Sequence, residues 1–182
     1  MHPITRLITV DDAPALTKLV RRNREFLAPW EPLRDDAYFT VGVQRAGIED
    51  SLVRHAQGTT APHVILDQSG VLVGRITLSG IVRGPFQSCS LGYWVDESHN
   101  GQGLATAAVG EILRMAFADL KLHRVQAETL PHNDASQRVL LRNGFARIGF
   151  APQYLSIAGR WQDHILFQVL NSEPPGAALT RG

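Results

Sequence analysis

Leu91-Gly-Tyr-Trp-Val95 is a short apolar and aromatic run, the composition of a strand. Asp96-Glu-Ser-His-Asn100 follows as a polar turn, and Gly101-Gln-Gly-Leu-Ala-Thr106 as a glycine-rich stretch that opens a helix. From there Ala105, Ala108, Val109, Ile112, Leu113, Ala116, Phe117 and Leu120 recur on one helical face at i, i+3, i+4 spacing. No other part of the chain is so restricted in what it can become. A strand ends, a loop with little side-chain bulk follows, and a helix begins. Such a loop aims several main-chain N–H groups at one concavity, at the positive end of the helix dipole. The stretch predicts an anion site, for phosphate in particular.

Two common phosphate motifs do not fit. A P-loop needs Gly, four residues, then Gly-Lys-Ser/Thr, and this loop has no Lys. A dinucleotide fingerprint needs Gly-x-Gly-x-x-Gly, but position 106 is Thr. The acidic residue it wants about 20 positions on is replaced by Lys121-Leu-His-Arg124. The upstream connectivity disagrees as well. His63–Leu66 and Val71–Leu78 flank Asp67-Gln-Ser-Gly70 as a hairpin. After a turn over Gly80–Gln87, Ser88–Val95 reads as a third antiparallel strand. The glycine loop thus follows a meander and not the parallel unit of a Rossmann half.

Elsewhere, Ile4–Val10 suits a first strand. Asp11 or Asp12 caps a helix with Pro14 in its first turn, and Leu16, Leu19, Val20, Asn23 and Leu27 share one face of it. Pro29 and Pro32 end that helix. A second helix is expected over Phe39–Gln57, with Val43, Ala46, Gly47 and Val53 as its apolar side. His123–Leu130 alternates and reads as a strand parallel to the one before the glycine loop, joined to it by the long helix. Asn133 or Asp134 caps a short helix that Gly144 ends. Ile148–Ser156 and Trp161–Leu170 form a last hairpin around Ala158-Gly159. The expectation is one domain over residues 1–170 and an aperiodic, flexible tail over 171–182.

Composition excludes more than it proposes. At 182 residues the chain is long enough to bury a real core. Its 18 basic and 17 acidic residues give a net charge of +1, which argues against nucleic-acid binding by bulk charge. Cys89 is the lone cysteine, so no internal disulfide forms, and a reducing cytoplasm fits. Met1-His-Pro-Ile lacks the features of a signal peptide, and no apolar run approaches the ~20 residues that cross a bilayer. His123, His132 and His164 form no ligand pattern, so no metal is expected.

Asn100-Gly-Gln-Gly103-Leu-Ala105 resembles the acyl-CoA loop of the GNAT superfamily of N-acetyltransferases. That family's pattern is Arg/Gln-x-x-Gly-x-Gly/Ala after a bulged strand. Asn100 departs from the usual Arg or Gln, so one side-chain contact to the cofactor is missing or replaced. Asn133-Asp-Ala-Ser136 followed by Gly144-Phe145 looks like the family's Asn-x-x-Ser … Gly-Phe block. The segments Asn23-Arg … Pro29-Trp-Glu-Pro32 and Tyr154-Leu … Gly159-Arg-Trp-Gln-Asp-His164 are similar to those of the RimJ/RimL-like branch, the ribosomal-protein-alanine N-acetyltransferases. The resemblance covers nearly the whole chain. It implies an α/β (α+β) acyl-CoA N-acyltransferase fold: a mixed, mostly antiparallel sheet, splayed at its centre and flanked by helices.

The resemblance also implies a chemistry, direct attack of a neutral amine on the thioester of acetyl-CoA, with no metal. The amides of Gly101, Gln102, Gly103, Leu104, Ala105 and Thr106, with Asn100 beside them, would hold the pyrophosphate. Trp94 and Val95 would pair their backbone with the pantetheine arm as an added strand does. Asn133 would contact that arm, cap its own helix, or both. Ser136 would protonate the leaving thiolate, or it is an ordinary early-helix residue. The base is Glu31 or Glu128, acting through water, because an α-amine of reference pKa about 8 needs only a weak base. Trp30, Tyr93, Tyr154 and Trp161 are candidate pocket walls, or simply core. The implied acceptor is a protein or peptide N-terminus; the alternatives are a small amine, or a CoA-binding regulatory module without turnover. Peptide use predicts an open groove beside Trp30 and Trp161, and a closed pocket favours a small molecule. Monomer and homodimer both stay open.

Overall fold

The computed structural model describes residues 3–171, so the flexible tail expected from residue 171 lies, beyond Asn171, outside the described residues. The strands are β1 (Thr5–Leu7), β2 (Thr60–Leu66), β3 (Leu72–Val82), β4 (Ser88–Val95), β5 (Arg124–Thr129), β6 (Ala146–Ile157) and β7 (Arg160–Leu170). They form one sheet in the order β1-β2-β3-β4-β5-β7-β6. Every neighbouring pair is antiparallel except β4 and β5. The meander, the single parallel crossover and the final hairpin are those the sequence predicts.

The parallel pair is short. β4 and β5 are in register only at Ser88↔Arg124, Cys89↔Val125 and Ser90↔Gln126. Beyond that, β4 stays with β3 as far as Gly74↔Val95, and β5 stays with β7 as far as Thr129↔Ile165. The two halves of the sheet part at its centre, which is the expected splay.

Helices cover both faces. These are α1 (Ala13–Arg22), the short α2 (Arg24–Leu27), α3 (Val41–Ala56), α4 (Leu104–Arg114) and α5 (Asp134–Arg142). A π-helical turn over Met115–Asp119 continues α4. On one face Leu16, Leu19, Val20 and Ile48 pack against Val64 and Leu72. On the other, Val109, Ile112, Ala116 and Leu140 pack against Ile65, Ile76, Leu91, Val125 and Phe167. The apolar face expected of α4 is the buried one: Ala108, Val109, Ile112, Leu113 and Ala116 are all in the core.

Four expectations need correction. The first strand is shorter than Ile4–Val10, because Val10–Asp12 winds into a 3-10 turn. Asp12 does not cap α1 with its side chain; it accepts from the Thr9 N–H (2.8 Å) and pairs with Arg6 (2.7 Å). Gly80 lies within β3 rather than opening the next turn, and the register shifts there, between Ser79 and Val82. The bulge is therefore in β3, and β4 runs unbroken to the glycine loop. The largest correction is α3. Val43 and Val53 are exposed, and Gln44, Ile48 and Ser51 face inward. The buried polar pair satisfies itself locally: Gln44 donates to the Tyr38 carbonyl (2.7 Å) and Ser51 to the Gly47 carbonyl (2.8 Å). In urea unfolding, Ile48→Ala should cost about 2–4 kcal/mol and Val53→Ala under about 0.5 kcal/mol. Equal costs would restore the valine face.

Candidate active site

β4 ends at Val95, and the next residue fixes how the chain leaves the sheet. Asp96 is 1% exposed. Its carboxylate accepts from Arg22 Nη2 (2.5 Å), Asn23 Nδ2 (2.7 Å), Ser98 Oγ (2.5 Å) and His99 Nδ1 (2.8 Å). Asn23 adds a second tie, its Oδ1 accepting from the Glu97 N–H at 2.8 Å. Burial alone would raise the Asp96 pKa. The bonds from Ser98, Asn23 and His99 and the charge of Arg22 outweigh it and hold the carboxyl at about 2. The end of α1 thus clamps the turn that delivers the glycine loop.

Beyond the clamp, Gly101 and Gly103 take φ values of +77° and +79°, a region that side chains disfavour. Gly103 starts α4 in this left-handed conformation. A Cβ at either glycine would meet nothing within 4 Å. Among the described residues, the N–H groups of Gly101 to Thr106 have no hydrogen-bond partner, and the Ala107 N–H is the first to turn back, to the Gly103 carbonyl. Open donors at a helix start, facing empty space, are what a diphosphate needs. Gly101, Gly103, Leu104, Ala105 and Thr106 line a cleft of about 400 Å³ with Val95, Asn100 and, from α5, Arg138 and Arg142. Gln102 is turned away, donating to the Ser98 carbonyl at 3.3 Å. Asn143 holds the helices together, donating to the carbonyls of Thr106 (3.1 Å) and Val139 (2.9 Å).

The gap between β4 and β5 connects this cleft to a second of about 350 Å³. Leu27, Trp30, Tyr93, Trp94, Asn133 and Ser136 line both. The Asp96 N–H donates to the Val73 carbonyl on β3 (2.7 Å). In an antiparallel ladder, every second residue faces the same partner. Trp94, opposite Arg75, therefore turns its backbone to β3. Tyr93 and Val95 turn theirs to the gap. Of the expected pair, Val95 offers free main-chain groups there and Trp94 does not, though its side chain lines both clefts. Gly92 lies on the floor of the second cleft, with nothing within 4 Å of where its Cβ would be.

At the junction the Tyr93 phenol lies 2.9 Å from Ser136 Oγ and donates toward the Ser136 carbonyl at 3.2 Å. Burial pushes the phenol up to about 12 despite the bond to Ser136, so it keeps its proton at neutral pH. Asn133 Oδ1 accepts from the Ser136 N–H at 3.1 Å, capping α5 while lining both clefts.

Glu31 and Glu128 both line the second cleft. Burial raises the pKa of each carboxyl. Arg34 and Arg75 oppose this at Glu31, and Ser90 and His164 oppose it at Glu128. Arg34 Nε is 3.7 Å from Glu31, and Ser90 Oγ donates to Glu128 at 3.2 Å. The strand alternation of β5 turns Glu128 into the cleft. Tyr154 and Trp161 line neither cleft; they sit on the outer hairpin, and Trp161 is 66% exposed. The groove expected beside Trp30 and Trp161 has only Trp30, which stacks at 5.4 Å from His132. Arg75, Gly92, Thr129, Arg138 and Arg142 join the lining without having been singled out from sequence, as does His164, which the sequence offers only as the end of a family-like segment and as no metal ligand. Alternation gave a signal only for the strand residues. No group of three or more His, Cys, Asp or Glu side chains among the described residues could hold a metal, and no described helix is long and apolar enough to cross a membrane.

Comparison with known proteins bears on this geometry. The model of the acetyltransferase (GNAT) domain matches residues 4–146. The chain is 36% identical over 169 residues to the probable N-acetyltransferase YjcK of Bacillus subtilis (strain 168), spanning 92% of this chain and 93% of that protein. It is 36% identical over 166 residues to the ribosomal protein uS5 alanine N-acetyltransferase of Escherichia coli (strain K12), spanning 90% and 84%. Mycobacterium smegmatis RimJ, solved in complex with CoA-disulfide, superposes with a TM-score of 0.89 at 32% identity, covering 94% of this chain and 83% of that one.

The Asp96 clamp has a pH signature. Its carboxyl is depressed, so the stability it adds is present above its unfolded pKa and lost as pH falls toward about 2. Asp96→Asn should cost about 2 kcal/mol at pH 7. Chemical unfolding of both proteins should show the difference shrinking between about pH 4 and pH 3. A difference that does not vary with pH would contradict the clamp.

Proposed function

This chain belongs to the acetyltransferase (GNAT) domain family and is an N-acetyltransferase, and on that premise we propose that it moves an acetyl group from acetyl-CoA to the N-terminal α-amine of a protein or peptide. A ribosomal protein is the acceptor class suggested by the uS5-modifying relative. The observation that carries this function is the gap between β4 and β5, which joins a cleft lined with open amides to one lined with acids.

The residues present fit acetyl-CoA, which supplies a thioester with an activated acyl carbon. The amides of Gly101 to Thr106 hold the diphosphate. Arg138 and Arg142 supply the positive charge that Asn100, in place of Arg, does not. Val95 and Tyr93 lie along the pantetheine arm and offer main-chain groups to it, as a strand edge does to an added strand. One of those N–H groups polarises the reacting carbonyl.

In the second cleft, Glu31 and Glu128 take the proton that the amine must lose, directly or through water. Burial brings their pKa values nearer to that of an α-amine, which improves the match. At the junction, Ser136 gives a proton to the departing sulfur. Tyr93, which stays protonated, stands behind it as the next donor. Asn133 orients Ser136 through the cap of α5.

Thiol release tests the function. A peptide with a free N-terminal alanine should release CoA from acetyl-CoA, and the same peptide already N-acetylated should not. Binding of acetyl-CoA with no release on any peptide or small amine would contradict it. Two glycines separate the clefts. Gly103→Trp should lower acetyl-CoA affinity at least tenfold in calorimetry without unfolding the chain. Gly92→Leu should keep that affinity and lower kcat/KM for the peptide by a similar factor. Ser136→Ala should lower kcat more than acetyl-CoA affinity, and equal losses would mark a structural serine.

A further inference from the structure

His164, on β7, is 3% exposed and lines the second cleft. Its Nδ1 lies 3.0 Å from the Gln162 carbonyl. A carbonyl only accepts, so Nδ1 carries a proton, and in the neutral ring Nε2 holds the free lone pair. Nε2 has no hydrogen-bond partner among the described residues. Nor is it sealed away: the buried side-chain polar atoms left without a partner belong to Arg75, Ser88, Arg124 and Thr129. A buried ring that lines a cleft, with one nitrogen tied to its own strand and the other neither bonded nor sealed, presents that second nitrogen to the cleft. Core packing needs no such atom.

The strand register puts a carboxylate on the same face. Glu128 pairs with Leu166 across β5 and β7, and every second residue of a strand shares a face, so His164 is its diagonal neighbour. Among the described residues the two form no ion pair; Glu128 bonds to Ser90 instead, at 3.2 Å. They still feel each other: burial raises the Glu128 carboxyl, and Ser90 and then His164 oppose the rise. From β6, Tyr154 brings its ring to 5.8 Å from the imidazole. Glu31, which pairs with Arg34, and Arg75 line the same cleft. Asp163 turns to the other face, where it accepts from the Gln153 N–H at 2.9 Å. By reference values, an α-amine of about 8 is matched better by an imidazole of about 6.5 than by a carboxylate of about 4.3. Resting on the acetyl transfer proposed above, we infer that the proton lost by an ammonium acceptor comes to rest on His164 Nε2, passed there by Glu128. One N–H bond of the ammonium breaks and its electron pair stays on that nitrogen. An N–H bond forms at Nε2, and the imidazolium keeps its Nδ1 bond to Gln162 while the Glu128 carboxylate balances its charge. The neutral amine then attacks, its next proton goes to the sulfur through Ser136, and the imidazolium gives its own proton to solvent. His164 thus acts through Glu128 and sets how much of the bound acceptor is ready to attack.

The pH dependence of kcat/KM on an alanyl peptide tests this. His164→Asn keeps a donor where Nδ1 is and removes Nε2. It should lower kcat/KM about tenfold at pH 7, where about a tenth of an α-amine is already neutral. At about pH 9.5 the acceptor arrives neutral and needs no base, so the loss should shrink to about twofold or less, with acetyl-CoA affinity unchanged. Glu128→Gln should show the same closing deficit, and the double variant should lose no more at pH 7 than the worse single one, because the two act as a unit. A loss of the same size at both pH values, or additive losses, would make His164 structural and leave the transfer function standing. Nitrogen NMR of the labelled wild-type protein gives a reading that depends on no variant folding. The neutral His164 ring should carry its proton on Nδ1, and a proton on Nε2 would overturn the inference. If acetyl-CoA binds and no amine is acetylated at any pH, the function fails and this inference fails with it.

Discussion

The parting of β4 from β5 after Ser90↔Gln126 is the constraint on which the rest of the structure depends. A strand that leaves its partner exposes main-chain donors and acceptors, and inside a protein these must be satisfied. Here the loss is one-sided. β4 keeps its ladder with β3, and β5 keeps its ladder with β7, so only the edges facing the gap are open. An open edge of this kind is what an extended ligand can complete. The gap also falls where α4 begins, so the unpaired strand edge and the unpaired helix amides face one continuous space.

Contacts distant in sequence hold that space in shape. Asn23 and Asp96 meet across the fold and tie the end of α1 to the turn leaving β4. Tyr93 and Ser136 bridge from β4 to α5. The hairpin between β6 and β7 reaches the Trp30 loop, where the Ala158 N–H donates to the Glu31 carbonyl at 2.9 Å. Each of these links fixes a wall of a cleft rather than filling the core. Desolvation then sets the chemistry: it keeps Tyr93 protonated and raises Glu31 and Glu128, while Asp96, with four donors around it, stays ionised.

The sequence made legible those parts in which local pattern and tertiary role coincide. The glycine loop, the limits of β4, the face of α4 and the capping of α5 are of this kind. In α3 the two diverge. Gln44 and Ser51 are buried because the Tyr38 and Gly47 carbonyls lie within reach, which no periodicity reports, and the exposed valines then mimic an inner face. Arg75 and Thr129 read as ordinary strand residues because alternation marks a face without saying whether that face meets solvent or a cleft. Trp161 shows the opposite case, since an aromatic residue in a family-like segment suggests a pocket wall and the hairpin leaves it 66% exposed, while Tyr154 lies at 5.8 Å from His164, which lines the second cleft.

One titration addresses the central claim, that open amides between Gly101 and Thr106 grip a diphosphate beside a parted strand pair. Amide NMR of the isotopically labelled protein should be recorded with CoA and, separately, with pantetheine, which lacks the diphosphate. The Gly101 to Thr106 amides should move with CoA and stay in place with pantetheine, while Tyr93 and Val95 respond to both. CoA binding that leaves the loop amides unmoved would contradict the account.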